Sequence, residues 1–440
     1  MIIVSQIVFL IILSIAGYFL TKRIHRIRKN ISIGKPGDIG DVPNSQRLKT
    51  MLLIAFGQKK MFKRPIPAFL HFLIYAGFLI INLEVLEFII DGLLGTHRVF
   101  APFLGSLYPV AMNVFEFLAV AVLVSCVIFL IRRNILKTER FHKPEMSGWP
   151  FLDANLILIF EVILMAAILT MNASDQVLQS MQAAHYPQTG KMVFSAIIIP
   201  LFQGIDMQSL VLVERFAWWF HIIGILAFAV YVTYSKHLHI FLAFPNTYFS
   251  NLNPRGKMSN IPEVTKEVQS MLSGAIESGD VPPEDFQFGT NDVRNLTWKN
   301  LMDAYSCTEC GRCTSSCPAN LTGKKLSPRK VMMDTRDRLE EAGDEIAKGN
   351  NPWESEKPLL GGYISSEEIN ACTSCNACVE ACPINIDPLS IILQLRRYEA
   401  MEASASPASW NAMFANVETN FAPWKFAPSD RFNWANELKK

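Results

Sequence analysis

Cys307-Thr308-Glu309-Cys310-Gly311-Arg312-Cys313-Thr314-Ser315-Ser316-Cys317-Pro318 returns in outline as Cys372-Thr373-Ser374-Cys375-Asn376-Ala377-Cys378-Val379-Glu380-Ala381-Cys382-Pro383. Each run has the spacing C-x₂-C-x₂-C-x₃-C-P. Three closely spaced thiolates can wrap one face of an iron–sulfur cubane. The fourth, set off by the longer spacing and followed by proline, reaches across to the other cluster. That assigns Cys307, Cys310, Cys313 and Cys382 to one [4Fe-4S] cluster, and Cys372, Cys375, Cys378 and Cys317 to a second. Zinc also uses C-x₂-C pairs, but four ligands per site leave no reason for this whole pattern to occur twice. Gly311 and Ala377 keep the loops small where they approach the clusters. These eight cysteines, of nine in the chain, suit metal binding in a reducing compartment better than a disulfide framework.

Working outward, the 440 residues divide by composition. Up to about residue 245 the chain is dominated by apolar runs, five of them long enough to cross a hydrocarbon core of about 30 Å. They cover Ile2–Leu20, Ile66–Ile90, Pro109–Ile131, Phe151–Met171 and Leu210–Tyr234. A sixth run, Met192–Phe202, is too short to span and reads as interfacial or re-entrant. The first run is followed, not preceded, by Lys22, Arg23, Arg26, Arg28 and Lys29, so it reads as an uncleaved anchor rather than a leader. Basic residues crowd the loops after spans one and three (Lys59, Lys60, Lys63, Arg64; Arg132, Arg133, Lys137, Arg140, Lys143) and are sparse after spans two and four. Positive charge stays in the cytoplasm, which puts the N-terminus outside and the cysteine-rich part inside. Lone Cys126, in span three, reads as a buried apolar residue. With 41 basic and 39 acidic residues, the net charge of +2 offers no field for nucleic acid.

Ionisable groups within a bilayer are functional candidates. His71 lies near the cytoplasmic end of span two, His221 within span five, and His237 and His239 at its cytoplasmic end. His221 and His239 are 18 residues apart. On a continuous helix that is five turns, so they share a face and stand roughly 27 Å apart, while His237 points about 160° away. Two histidines so placed suit a b-type cytochrome, since imidazole is an ordinary axial ligand to haem iron. His71 with His239 makes an inner haem; a second haem at His221 lacks an evident partner, because the position ten residues after His71 is Ile81 and His97 lies too far out. Glu84, Glu87, Glu116, Glu161, Glu214 and Arg215 could line a quinol site and a proton exit, or tie the bundle together by pairing.

Five helices with a histidine in the second and spaced histidines in the fifth, including Trp218-Trp219-Phe220-His221 and Ser235-Lys236-His237-Leu238-His239, resemble the nitrate reductase gamma-subunit family of cytochromes b. They also resemble the membrane subunits of heterodisulfide reductase and of sulfite-reductase-associated complexes. The gamma-subunit pattern has a second histidine in helix two, which is missing here. The cysteine runs, together with Thr297-Trp298-Lys299 and Leu326-Ser327-Pro328-Arg329, resemble heterodisulfide-reductase-related iron–sulfur subunits. The resemblance implies an electron-transfer subunit of a quinone-linked oxidoreductase complex. Its quinone would be menaquinone, and its partner a separate Cys-Cys-Gly-domain subunit or a flavoprotein. Such systems keep catalysis in the Cys-Cys-Gly domain, for which no cysteines remain in this chain. A haem-free anchor for a dehydrogenase and a redox-sensing membrane protein are the competing readings.

The expected organisation is a five-span α-helical transmembrane bundle (1–245), a linker with a short helix at Pro262–Ile276 and a breaker at Gly279–Pro283 (246–300), a mostly α-helical 2×[4Fe-4S] ferredoxin-type domain with a helix at Pro328–Ala342 (301–400), and an aromatic docking tail (401–440). The tail would lay Phe414, Phe421, Trp424, Phe426, Phe432 and Trp434 over the cluster domain or a partner.

Overall fold

The computed structural model describes residues 2–37, 39–254, 256–273, 287–354 and 357–438; the expected breaker, and the end of the linker helix, lie outside them. The described residues form helices and turns, with no strand beyond two isolated bridges. The longer helices are α1 (Ile2–Ile31), α2 (Asn44–Met51), α3 (Pro65–Leu94), α4 (Tyr108–Leu130), α5 (Trp149–Ser180), α6 (Met207–Val232), α7 (His239–Tyr248), α8 (Pro262–Ser273), α9 (Trp298–Ser306), α10 (Pro328–Ala347), α11 (Pro388–Arg397) and α12 (Ala408–Asn420). Five of them, α1, α3, α4, α5 and α6, lie in segments long and apolar enough to cross a membrane.

Local chemistry sets their ends. α3 starts with Pro65, whose missing N–H is harmless in a first turn, and stops at Gly95 in the left-handed region (φ 70°). Asp206 caps α6 by accepting from the N–H groups of Gln208 and Ser209. Thr297 and Asn300 form a reciprocal capping box on α9, and Ser327 caps α10. The Met192–Phe202 run does not cross; it forms two short 3₁₀ turns, one of which packs beside α5. Rows of exposed apolar residues, such as Ile3, Ile7, Ile11 and Ile15 on α1, form the belt a bilayer would cover.

The membrane helices and the cysteine-rich part share packing, which corrects the linker reading. Pro245 lies inside α7 and ends nothing. Asn246 on α7 donates to the carbonyl of Ile384 and accepts from Lys299 on α9. α1 overruns its apolar stretch to Ile31 and docks on the cluster domain. There Arg23 makes a two-pronged pair with Glu340 (2.9 and 2.6 Å), and Asn30 donates to Tyr305 (2.8 Å). Asn30 comes so close to α10 that a Cβ on Gly343 would stand 2.2 Å from its oxygen and force the Asn30 side chain to move. The common core buries Ile27 and Leu238 with Leu301, Leu339 and Ile391. Each such side chain contributes about 1.5–3 kcal/mol by leaving water. The tail does not cover the cluster domain with its aromatics: Phe421 and Trp424 are 87% and 70% exposed, and α12 buries none of its residues, which leaves the alternative of a partner surface.

Candidate functional site: a histidine-lined cavity beside the cluster loops

The cysteine runs fold into two loops whose backbone is shaped around sulfur. Glu309 and Ser374, equivalent positions in the two runs, both take positive φ (54° and 55°). That unusual turn aims their N–H groups at Cys307 Sγ and Cys372 Sγ, each at 3.4 Å, and Ile386 N–H reaches Cys382 Sγ at 3.3 Å. Such N–H···S contacts tune iron–sulfur potentials.

The last cysteine of each run lies near opening cysteines of the other. Cys382 acts electrostatically on Cys307 and Cys313, while Cys317 acts on Cys372 and Cys378. A small cavity of about 30 Å³ is lined by Cys307, Cys310, Cys313 and Cys382. Burial pushes the Cys307 and Cys382 thiols up to about 12, so these sulfurs would be thiolates at neutral pH only against a metal. Among the described residues no three His, Cys, Asp or Glu side chains are grouped to hold a single metal ion. A cubane spaces its sulfurs more widely than the roughly 2.3 Å bonds of a zinc site bring them. Glu309 lies buried beside the first set. Burial raises it, but Lys236 and Arg336 outweigh that and hold it below the usual carboxylate range. Cys375, in the second set, is exposed.

A larger cavity of about 380 Å³ opens between the helices on the side of the first cysteine set. Its lining includes His71, His221, His237 and His239, then Arg140 and Arg312, and ends on Thr308, Cys310, Pro383 and Ile384. One element of the helical extrapolation is overturned: α6 stops at Val232, a turn intervenes, and α7 begins at His239. His237 therefore lines the cavity instead of pointing away, and its ring stands 5.4 Å from that of His239. The sequence signal for the break is Ser235, whose side chain accepts from His237 N–H.

The ring centres of His71 and His239 are 6.3 Å apart. Two imidazoles bonded at about 2 Å to one metal would stand roughly 6 Å apart, centre to centre. Each ring is held by its Nδ1: His71 to Gln58 Oε1 at 3.1 Å, His239 to the Lys236 carbonyl at 3.2 Å, and His221 to the Leu164 carbonyl at 2.9 Å. Fixing Nδ1 leaves Nε2 free to ligate, the arrangement typical of metal-bound histidine. His221 Nε2 is buried with no hydrogen-bond partner. These residues fit a haem. Sequence reasoning missed Gln58, which lies thirteen residues before His71 with a break between. Among the described residues the ring beside His221 is that of Phe88, and His97 is occupied elsewhere.

Glu84, Glu87, Glu116 and Glu214 lie at the other end of the bundle and are paired. Arg98, 2% exposed, meets Glu84 (3.3 Å), Asp175 (3.0 Å) and Asn172 (2.6 Å). Glu87 accepts from Tyr108 and the Phe100 N–H, Glu116 from Asn172 and two backbone N–H groups, and Glu214 from Tyr186 and Arg215. His97 bridges Asp175 and Arg215. Glu161 alone of the acidic candidates lines the cavity.

Residues 306–386 match the 4Fe-4S dicluster domain family, so the fold and the site define a protein with five membrane-type helices and two [4Fe-4S] clusters. Over 99% of its length the chain is 27% identical to the probable iron-sulfur-binding oxidoreductase FadF of Bacillus subtilis, covering 61% of that protein. It is 26% identical, over 89% of its length, to EtfAB:quinone oxidoreductase of Syntrophomonas wolfei, covering 54% of it. Residues making up 32% of the chain are 28% identical to a component of the dihydromethanophenazine:CoB–CoM heterodisulfide reductase of Methanosarcina mazei, covering 35% of that polypeptide. The chain thus spans little more than half the length of the first two relatives, and its homologues are iron–sulfur oxidoreductases and electron-transport proteins. No solved structure matches it.

Proposed function

We propose that the chain relays electrons between membrane quinone and a cytoplasmic redox partner, through a haem b held by His71 and His239 and then through the two clusters. The observation that carries this reading is the cavity that joins the histidine set to Cys310 and Pro383 on the loops of the first cysteine set. Haem, when bound, supplies one-electron chemistry. The chain's own part is to fix the imidazoles through Gln58 and the Lys236 carbonyl, and to exclude water with apolar walls. Cys307, Cys310, Cys313 and Cys382 would ligate the cluster next to the cavity. Cys372, Cys375, Cys378 and Cys317 would ligate the one nearer solvent, since Cys375 is exposed. That order sets the route: membrane, buried cluster, exposed cluster, partner.

The quinone reading draws on the relative named EtfAB:quinone oxidoreductase, and the partner would be an EtfAB-like flavoprotein or a Cys-Cys-Gly-domain unit. Glu161, on the cavity wall, would take a proton from a quinol. The basic loops support a cytoplasmic position for the clusters. The test is anaerobic addition of a menaquinol analogue to the full detergent-extracted protein, with optical and EPR detection. Reduction of b-type haem followed by the clusters is expected, slowed in Glu161→Gln. Clusters that take electrons from quinol in a protein without haem would replace this reading with that of a haem-free anchor.

A further inference from the structure

Between the histidine pair and the first cysteine set stand two guanidinium groups with no carboxylate partner among the described residues; Cys310 pulls on both, and Cys382 on Arg312, which also lines the small cysteine cavity. Arg140 Nε and Nη1 are buried and have no hydrogen-bond partner. Arg312, 5% exposed, only donates to the backbone carbonyls of Lys60 and Met61 at 3.3–3.4 Å. Neither pairs with a carboxylate among the described residues, whereas neighbouring Arg329 has Glu145 (2.7 Å). Arg64 and Arg132 add like charge, and burial together with these neighbours lowers Arg140 to about 10 despite the opposing pull of Cys310. Both arginines line the large cavity, and Arg312 acts electrostatically on His71. Arg140 packs against the first cysteine loop: a Cβ on Gly311 would lie 3.5 Å from that of Arg140.

Buried cations left unpaired are unfavourable unless an anion joins them, and the planar guanidinium fork matches a carboxylate. The cavity asks for an occupant with an apolar, planar body between His71 and His239 and acidic groups at the arginine end. We propose that Arg140 and Arg312 clamp the propionate carboxylates of the haem, turning its acidic edge toward Cys310 and the first cluster. This rests on the haem reading above. It makes the two arginines positioning residues that also bias the redox poise, because a fixed positive charge near a haem favours its reduced form.

The experiment uses the full detergent-extracted protein and its Arg140→Met and Arg312→Met variants. Haem is read as pyridine haemochrome, haem midpoint by optical titration, propionate hydrogen bonding by the resonance Raman propionate-bending band, and cluster integrity by iron content and EPR. The expected result is that cluster iron is retained, the propionate band shifts, the haem midpoint falls, and haem occupancy drops several-fold when both arginines are replaced. Arg140→Lys, which keeps the charge but loses the fork, should restore the midpoint more fully than the Raman band, and carries the test if the methionine variants do not assemble. A haem-containing wild type whose variants leave both band and midpoint unmoved overturns the clamp and leaves the haem reading standing. A change confined to the EPR of the first cluster overturns it by assigning the arginines to the cluster. A wild type without haem removes the haem reading and the clamp together.

Discussion

The two ends of the helix bundle are both rich in buried polar groups, and they differ in how those groups are satisfied. At the end far from the clusters, Arg98, Asp175, Glu84, Glu116 and Asn172 answer one another almost completely, and Glu87 is met by Tyr108 and the Phe100 N–H; one oxygen of Glu84 is left over. From the middle of the bundle toward the clusters, His221 Nε2 and Arg140 Nε and Nη1 are buried without hydrogen-bond partners, and they line one cavity. A closed network is sufficient to itself and ties helices together. Buried donors and acceptors left open in a cavity mark a place that something else completes.

That contrast is breakable. The largest effect should come from Arg98→Met, which leaves Glu84 without its buried cation and Asp175 with only His97 and Gln179. A loss of about 3–5 kcal/mol is expected, seen as lower thermal stability in detergent, with haem and cluster spectra of the surviving protein unchanged. A redox change there would erase the distinction between the two ends. Gln58→Leu should act the other way: it removes the partner of His71 Nδ1 and should weaken haem retention by about 10–100-fold while stability barely moves. Gly311→Ala places a Cβ 2.5 Å from Arg329 Nη1 at a positive φ. It should lower stability by about 1–2 kcal/mol and broaden the EPR of the first cluster, leaving the second unaffected. A modest stability change, about 1 kcal/mol from one lost hydrogen bond, is expected for His221→Phe. If that variant instead loses half of the haem, His221 holds a second one.

Much of this is legible in the residues themselves. The five spans follow from hydropathy and length, and the two four-cysteine runs of a dicluster domain from spacing alone, because both signals are local. The histidines are recognisable as candidates, but their arrangement is not. Extrapolating one helix from His221 to His239 fails at the turn after Val232, where no glycine or proline gives warning and only Ser235 hints at a new cap. The basic stretch after span one reads as a topology signal, yet Arg23 and Asn30 also dock α1 on the cluster domain through Glu340 and Tyr305, more than 270 residues away in sequence. In sequence Arg140 and Arg312 look like a loop charge and a motif filler; only folding brings them to one cavity wall. Pairings between distant segments leave no periodic trace, so neither the closed network around Arg98 nor the open one around His221 can be told apart beforehand.

The most direct measurement is the reduced-minus-oxidised optical spectrum of the purified full chain, with iron and haem content, for the wild type, His71→Ala and His239→Ala. The account predicts b-type bands in the wild type, about eight cluster irons per chain, and loss of the bands in both variants with that iron retained. Cluster iron with no b-type bands in the wild type would contradict it: the clusters would stand, and the histidine-lined cavity would not be a haem site.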